Sequence, residues 1–179
     1  SYANCSFWII YIIVQGTCMM GLWVLAHDCG HYALFNSKLL NNLIGFILHT
    51  VLIVPYFSWQ YSHAKHHSKT AHLIDGETHV PSKNIKGVRK TIAYYLGESG
   101  FAIYEIISHL FFGWPLYLLF NTTGARRRFN KEEYKYKPNH YNPYSKLFPE
   151  TLHLYTLLST IGISCWIVIL YKITIKYLN

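Results

Sequence analysis

Three blocks of this chain are apolar over lengths that only a membrane commonly accommodates: Phe7 to Ala26, Phe101 to Phe120, and Leu152 to Tyr171. A helix that crosses a bilayer needs roughly 20 mostly apolar residues, and each block approaches or meets that length. A fourth block, Leu39 to Phe57, carries Asn41 and Asn42 at one end, His49 in the middle and Pro55 near the other, which suits a span or a re-entrant hairpin. The expected fold class is all-α, a polytopic helical membrane protein, with residues 1–179 forming one domain.

The mean hydropathy of +0.14 understates this pattern, because polar residues concentrate in two stretches, Ser58 to Lys90 and Asn121 to Glu150. Those stretches supply most of the net charge of +8, through Lys65, Lys69, Lys83, Lys86, Arg89 and Lys90 in the first and Arg126, Arg127, Arg128, Lys131, Lys135, Lys137 and Lys146 in the second. Short loops rich in Lys and Arg stay on the cytosolic side. A basic loop held between apolar helices faces lipid headgroups, so a nucleic-acid partner is not expected. The cysteines Cys5, Cys18, Cys29 and Cys165 form no Cys-x-x-Cys pair and lie in or beside apolar segments; they read as buried thiols. Phe7 to Ala26 lacks a small-residue cleavage site and runs straight into a histidine cluster, so it is not a cleavable signal. With Ser1 first, the natural chain is expected to begin earlier.

Along the chain, Phe7 to His31 reads as one helix and Asn36 to Asn42 as a short polar turn. Gly100 to Phe120 reads as an apolar helix that Pro115 can kink. Arg126 to Tyr144 is amphipathic, basic and tyrosine-rich, and is expected to lie along the membrane surface. Tyr56, Phe57, Trp59 and Tyr61 suit the interfacial aromatic belt.

Two histidine clusters follow apolar blocks: His27-Asp28-Cys29-Gly30-His31 and His63-Ala64-Lys65-His66-His67. His27 and His31 are four apart, so a helix projects both imidazoles from one face. His63 lies three before His66 and four before His67, so a helix there sends three imidazoles toward one side. Neutral imidazoles suit Zn, Cu, Fe or Ni, and the scarcity of thiolate disfavours an iron–sulfur or Cys-rich zinc site. A lone histidine is most simply a hydrogen-bonded one, which is the reading for His49 and His109. Five at ligand spacing have little packing value, and each buried ring needs polar partners. The candidate metal ligands are therefore His27, His31, His63, His66 and His67. Asp28, Asp75 and Glu77 are the nearby acids; Asp28 or Glu77 could orient a ligating imidazole, or simply be solvated. Gly30 lets the helix end be approached closely. If both clusters share one site, Leu39 to Phe57 must return to the face it entered.

His-Asp-Cys-Gly-His followed by Trp59-Gln-Tyr-Ser-His-Ala-Lys-His-His-Ser68 resembles the first two histidine boxes of the membrane fatty-acid desaturases, closest to the oleate (delta-12, omega-6) and omega-3 group. The likeness extends to Val54-Pro55-Tyr56-Phe57-Ser58-Trp59, Val80-Pro81, Gly113-Trp114-Pro115-Leu116-Tyr117, Phe120-Asn121 and His140-Tyr141-Asn142-Pro143, from about Gly16 to Phe148. The resemblance implies a multi-pass endoplasmic-reticulum enzyme whose cytosol-facing histidines hold two iron ions. It further implies a fatty-acyl substrate in membrane lipid, dioxygen, and electrons from cytochrome b5 and its reductase, or from ferredoxin.

The resemblance departs in one large respect. The family's third box, His-x-x-His-His, has no counterpart, since no histidine follows His153. The expectation is an internal fragment, inactive alone. Smaller departures are Asp28 where many oleate desaturases carry Glu, and Lys69 in place of a common Asn. His72 looks like a histidine that some relatives carry, and neither it nor His79 is taken as a ligand. His49 and His140 match recurring family positions whose roles the sequence leaves undefined. Two other outcomes stay open: a related di-iron hydroxylase or conjugase, and a metal-binding membrane protein without catalysis.

Overall fold

The computed structural model describes residues 2–70, 72, 87–124 and 138–178, and among them every regular element is helical. The chain divides into two compact units, one of residues 1–61, 141–144 and 148–179, the other of residues 62–140 and 145–147.

The first unit holds α1 (Tyr2–Gly30), α2 (Lys38–Val51), the start of α3 (Tyr56–Ser68) and α6 (His153–Leu178). On α1, the residues from Phe7 to Val14 are exposed all the way round the helix although all are apolar. Water would penalise such a surface and lipid does not. Helix α2 is inverted relative to a water-soluble one. Its buried stripe is Asn41, Gly45 and His49, spaced by four, while Leu39, Leu43 and Ile47 face outward.

Helix α2 starts at Lys38, inside the polar turn expected over Asn36 to Asn42. Ser37 is its cap, and the Ser37 hydroxyl accepts from Leu40 N–H at 3.4 Å. Asn41 is already helical, because its side chain closes the preceding turn from within. Its Oδ1 accepts from Phe35 N–H at 3.2 Å, and its amide donates to the carbonyls of Phe35 at 2.6 Å and Ser37 at 2.9 Å. Asparagine satisfies backbone this way wherever the chain turns.

Between α2 and α3 the chain breaks over four residues and bends by 108°. Ile53 sits there at φ 61°, a left-handed conformation that strains a β-branched residue by about 1–3 kcal/mol. Apolar surroundings supply no water to the backbone groups freed at such a break. The protein supplies side chains instead. Trp166 Nε1 donates to the Val51 carbonyl at 3.1 Å, Tyr141 Oη to the Ile53 carbonyl at 3.3 Å, and Phe57 N–H to Ser159 Oγ at 3.2 Å. Burial pushes the Tyr141 phenol above its usual range, so it stays a donor. Thr160 Oγ1 fixes Tyr141 in turn by donating to its carbonyl at 2.7 Å.

The second unit holds the last turns of α3, α4 (Val88–Ser108), a π-helical turn over His109–Gly113, and α5 (Trp114–Phe120). The apolar helix expected from Gly100 to Phe120 lies within a longer helical run. That run starts at Val88, is interrupted by Gly97 at φ 67° and ψ 179°, and loosens at His109–Gly113. Pro115 has no N–H, and its ring would strike the carbonyl four residues back. The wider π turn just before it relieves that conflict. Asn121, in the left-handed conformation, ends α5 and donates its N–H to the Tyr117 carbonyl at 2.8 Å.

Three helical stretches are long and apolar enough to cross a bilayer: Cys5–Gly30, Val88–Phe120 and Glu150–Tyr177. The protein is a helical membrane protein. Most of the basic stretch expected along the surface, residues 125–137, lies outside the described residues.

Candidate metal centre

In the first unit α1 ends at Gly30, and His31 opens the turn that follows rather than completing the helix. The end is tight. His31 N–H is shared between the carbonyls of His27 and Asp28, both at 3.2 Å, and Ala33 N–H returns to the Asp28 carbonyl at 2.9 Å. The two imidazoles still meet as their four-residue spacing dictates, with Nε2 atoms 3.3 Å apart.

The ring of His27 is oriented from two directions. Its Nδ1–H donates to Asp28 Oδ1 at 3.2 Å, which leaves Nε2 as the nitrogen able to coordinate an ion. Trp23, one turn earlier, stacks on it with centroids 5.5 Å apart and an angle of 26°. Trp59 of α3 approaches to 5.8 Å and also meets Trp23 edge-on at 5.7 Å. Trp59 is seated by Gly30, where a Cβ would lie 2.8 Å from the indole, and Gln60 Nε2 donates to the Gly30 carbonyl at 3.1 Å. Gly30 thus serves close approach, as expected. Buried His49 stands edge-on to Trp59 at 4.7 Å and packs against Tyr56 at 5.6 Å. Its place is behind the indole that backs His27.

The second unit carries His63, His66 and His67 on α3. Nε2 of His63 and Nε2 of His67 are 3.1 Å apart. The His66 ring lies 6.2 Å from that of His63 and 5.7 Å from that of His67. A helix turns about 100° per residue, so His67 falls near His63 in azimuth while His66 diverges from His67. The three imidazoles therefore form a close pair and a neighbour rather than one uniform face.

These separations can be tested against a metal. Two imidazole nitrogens, each about 2.1 Å from one ion, are roughly 3.0–3.4 Å apart when the angle at the ion is between 90° and 109°. Both pairs fit. Each offers two ring nitrogens, the neutral donors that suit iron, copper, nickel or zinc. Cys29, the one thiol within a cluster, is buried in the core. His72 is exposed, whereas Asp75, Glu77 and His79 lie outside the described residues.

The histidine spacing alone does not reveal the indoles around His27 or the seat of Trp59 on Gly30. A signal was present, since Trp23 precedes His27 by four residues and Trp59 precedes His63 by four.

The family model for fatty acid desaturase matches residues 6–175. Among similar proteins, an oleoyl-12-hydroxylase of Ricinus communis is 36% identical over 93% of this chain and 41% of its own length. A delta(12)-oleate desaturase of Trichosanthes kirilowii is 37% identical over 94% of this chain and 43% of its own. A bifunctional fatty acid conjugase/delta(12)-oleate desaturase of Punica granatum is 37% identical over 94% and 40%. The chain thus spans about two fifths of the length of these relatives. No solved structure is a significant match.

Proposed function

The chain belongs to the fatty acid desaturase family, and from that premise we propose that it is part of an oxygen-dependent acyl-lipid desaturase of the delta-12 (omega-6) type. His27, His31, His63, His66 and His67 are ligands to two iron ions in this reading. The observation that carries it is the pair of Nε2–Nε2 separations, 3.3 Å on the first cluster and 3.1 Å on the second, in a chain that the family model covers almost throughout.

Removing hydrogen from an unactivated methylene is beyond any side-chain acid or base. The irons supply the oxidising chemistry: dioxygen, two electrons and two protons become two waters while two adjacent carbons each lose a hydrogen. The protein's own contribution is to orient and exclude. Asp28 holds the His27 tautomer, and Trp23 and Trp59 fix its plane. The apolar helices give an acyl chain a dry path, so the carbon pair that reacts is set by position. In this reading the substrate is a fatty-acyl chain in lipid and the electron donor is cytochrome b5 with its reductase, or ferredoxin. The enzyme resides in the endoplasmic-reticulum membrane with both clusters toward the cytosol.

The hydroxylase outcome has one specific support, the 36% identity to an oleoyl-12-hydroxylase. Lipid profiling of an oleate-producing host that expresses the whole protein separates the two. A new diunsaturated acid is expected. A hydroxy acid would move the assignment to the hydroxylase, and an unchanged profile in a host with a competent electron donor would overturn both.

A further inference from the structure

Three buried polar groups close a triangle immediately before the second histidine cluster. His140 Nε2 lies 3.2 Å from Ser62 Oγ and 3.1 Å from Tyr117 Oη, and the Tyr117 hydroxyl donates to Ser62 Oγ at 3.1 Å. All three residues belong to the second unit, and their exposures are 0%, 5% and 5% for His140, Ser62 and Tyr117. Burying hydroxyls and an imidazole is unfavourable unless each finds a partner. One proton order satisfies both hydroxyls and Nε2: Tyr117 donates to Ser62, and Ser62 donates to a neutral Nε2. The His140 backbone is tied to the same helix end, its N–H donating to the Leu118 carbonyl at 2.9 Å.

Ser62 is the residue before His63 on α3. At about 100° per residue, the face that carries Ser62 is the one α3 turns inward, while His63 and His67, at intermediate and full exposure, lie round from it. Whatever fixes Ser62 therefore fixes the azimuth of the His63–His67 pair. We infer that His140 is a positioning residue for the second histidine cluster, acting through Ser62 and Tyr117 and not as a ligand. With Nε2 already accepting from the Ser62 hydroxyl, and with Tyr117 Oη 3.1 Å away, that nitrogen is not presented to a metal. No spacing rule assigns His140 this role, because its partners lie 78 and 23 residues away along the chain.

The inference rests on the reading of His63 and His67 as iron ligands, and the test separates the two. Whole protein is purified from membranes as wild type, His140→Ala, His140→Gln, Tyr117→Phe and His63→Ala. Iron per chain, kcat, KM and the near-ultraviolet spectrum of an azide complex are measured for each. Loss of an outer partner of a metal site costs about 10–100-fold in affinity or activity. His140→Ala should lose at least about tenfold in iron retention against a chelator or in kcat, with KM within about threefold. His140→Gln, whose amide oxygen can accept from Ser62, should recover most of it, and its azide band should return to the wild-type position. Tyr117→Phe should fall between and remains informative if the alanine variant does not fold.

Wild-type iron retention and kcat in His140→Ala or in Tyr117→Phe would overturn the inference. So would rescue of His140→Ala by added imidazole but not by Gln, the mark of a ligand. Should His63→Ala keep its iron, the ligand reading fails and not merely this one.

Discussion

The two histidine clusters solve one problem by different means. On α1 the ring of His27 is oriented beside the imidazole pair itself, by a carboxylate 3.2 Å away and by neighbouring indoles. On α3 the orientation is set from below, by a buried triangle that pins Ser62 one residue ahead of His63. The reason lies in where each cluster falls. His31 belongs to a turn just beyond the end of α1, so the geometry of the pair rests on His27, the ring that the neighbouring side chains hold. His63 and His67 lie within a continuous helix whose register already fixes them once its azimuth is fixed.

This contrast can be broken experimentally, beginning with its largest consequence. His27→Ala and His63→Ala should each abolish measurable turnover of the whole protein and release iron, as read by elemental analysis; retention of full iron in either removes that residue from the ligand set. Next comes acid stability. Burial holds the His140 imidazole down at about 4, against an ordinary 6.5, while the nearby backbone carbonyls of Leu118 and Tyr117 oppose the shift. The folded state thus rejects a proton that the unfolded chain accepts, so the stability present above pH 6.5 should be lost as pH falls toward 4. A shift of this size corresponds to the order of 3 kcal/mol at full development. His140→Gln should flatten that part of the profile in a thermal-shift series in detergent, and an unchanged slope would mean another group titrates.

Asp28→Asn should weaken iron retention about 10–100-fold, because a neutral amide orients the His27 tautomer less firmly. Chelator competition measures it, and no comparable loss should follow from charge removal at half-buried Lys65 in the second cluster or at exposed Lys69 just after it. Smallest is Gly30→Ala. The new Cβ would press on Trp59 at 2.8 Å, which should cost about 1–3 kcal/mol of stability and shift tryptophan fluorescence without touching a ligand.

The apolar spans were legible because a helix in lipid is specified by composition over about 20 residues: Phe7 to Ala26 falls inside α1, and Leu152 to Tyr171 falls inside α6 apart from Leu152 itself. The two close imidazole pairs were legible because spacing of four is local geometry. What escaped was non-local or rested on one side chain. Asn41 and Asn42 look like a turn until Asn41 is seen bonding back to Phe35. Pro115 announces a kink, but the π turn that absorbs it depends on the residues before it. The groups that close the α2–α3 break come from Ser159 and Trp166, more than 100 residues on. The Ser62–Tyr117–His140 triangle spans three separate segments, and no spacing rule connects them.

Iron content and Mössbauer spectrum of the whole protein, purified from cells grown on enriched iron, test the central claim most directly. The account predicts close to two irons per chain in nitrogen-rich, magnetically coupled sites, lost in His27→Ala and in His63→Ala. Zinc in place of iron, or an iron signal unchanged in both variants, would contradict it.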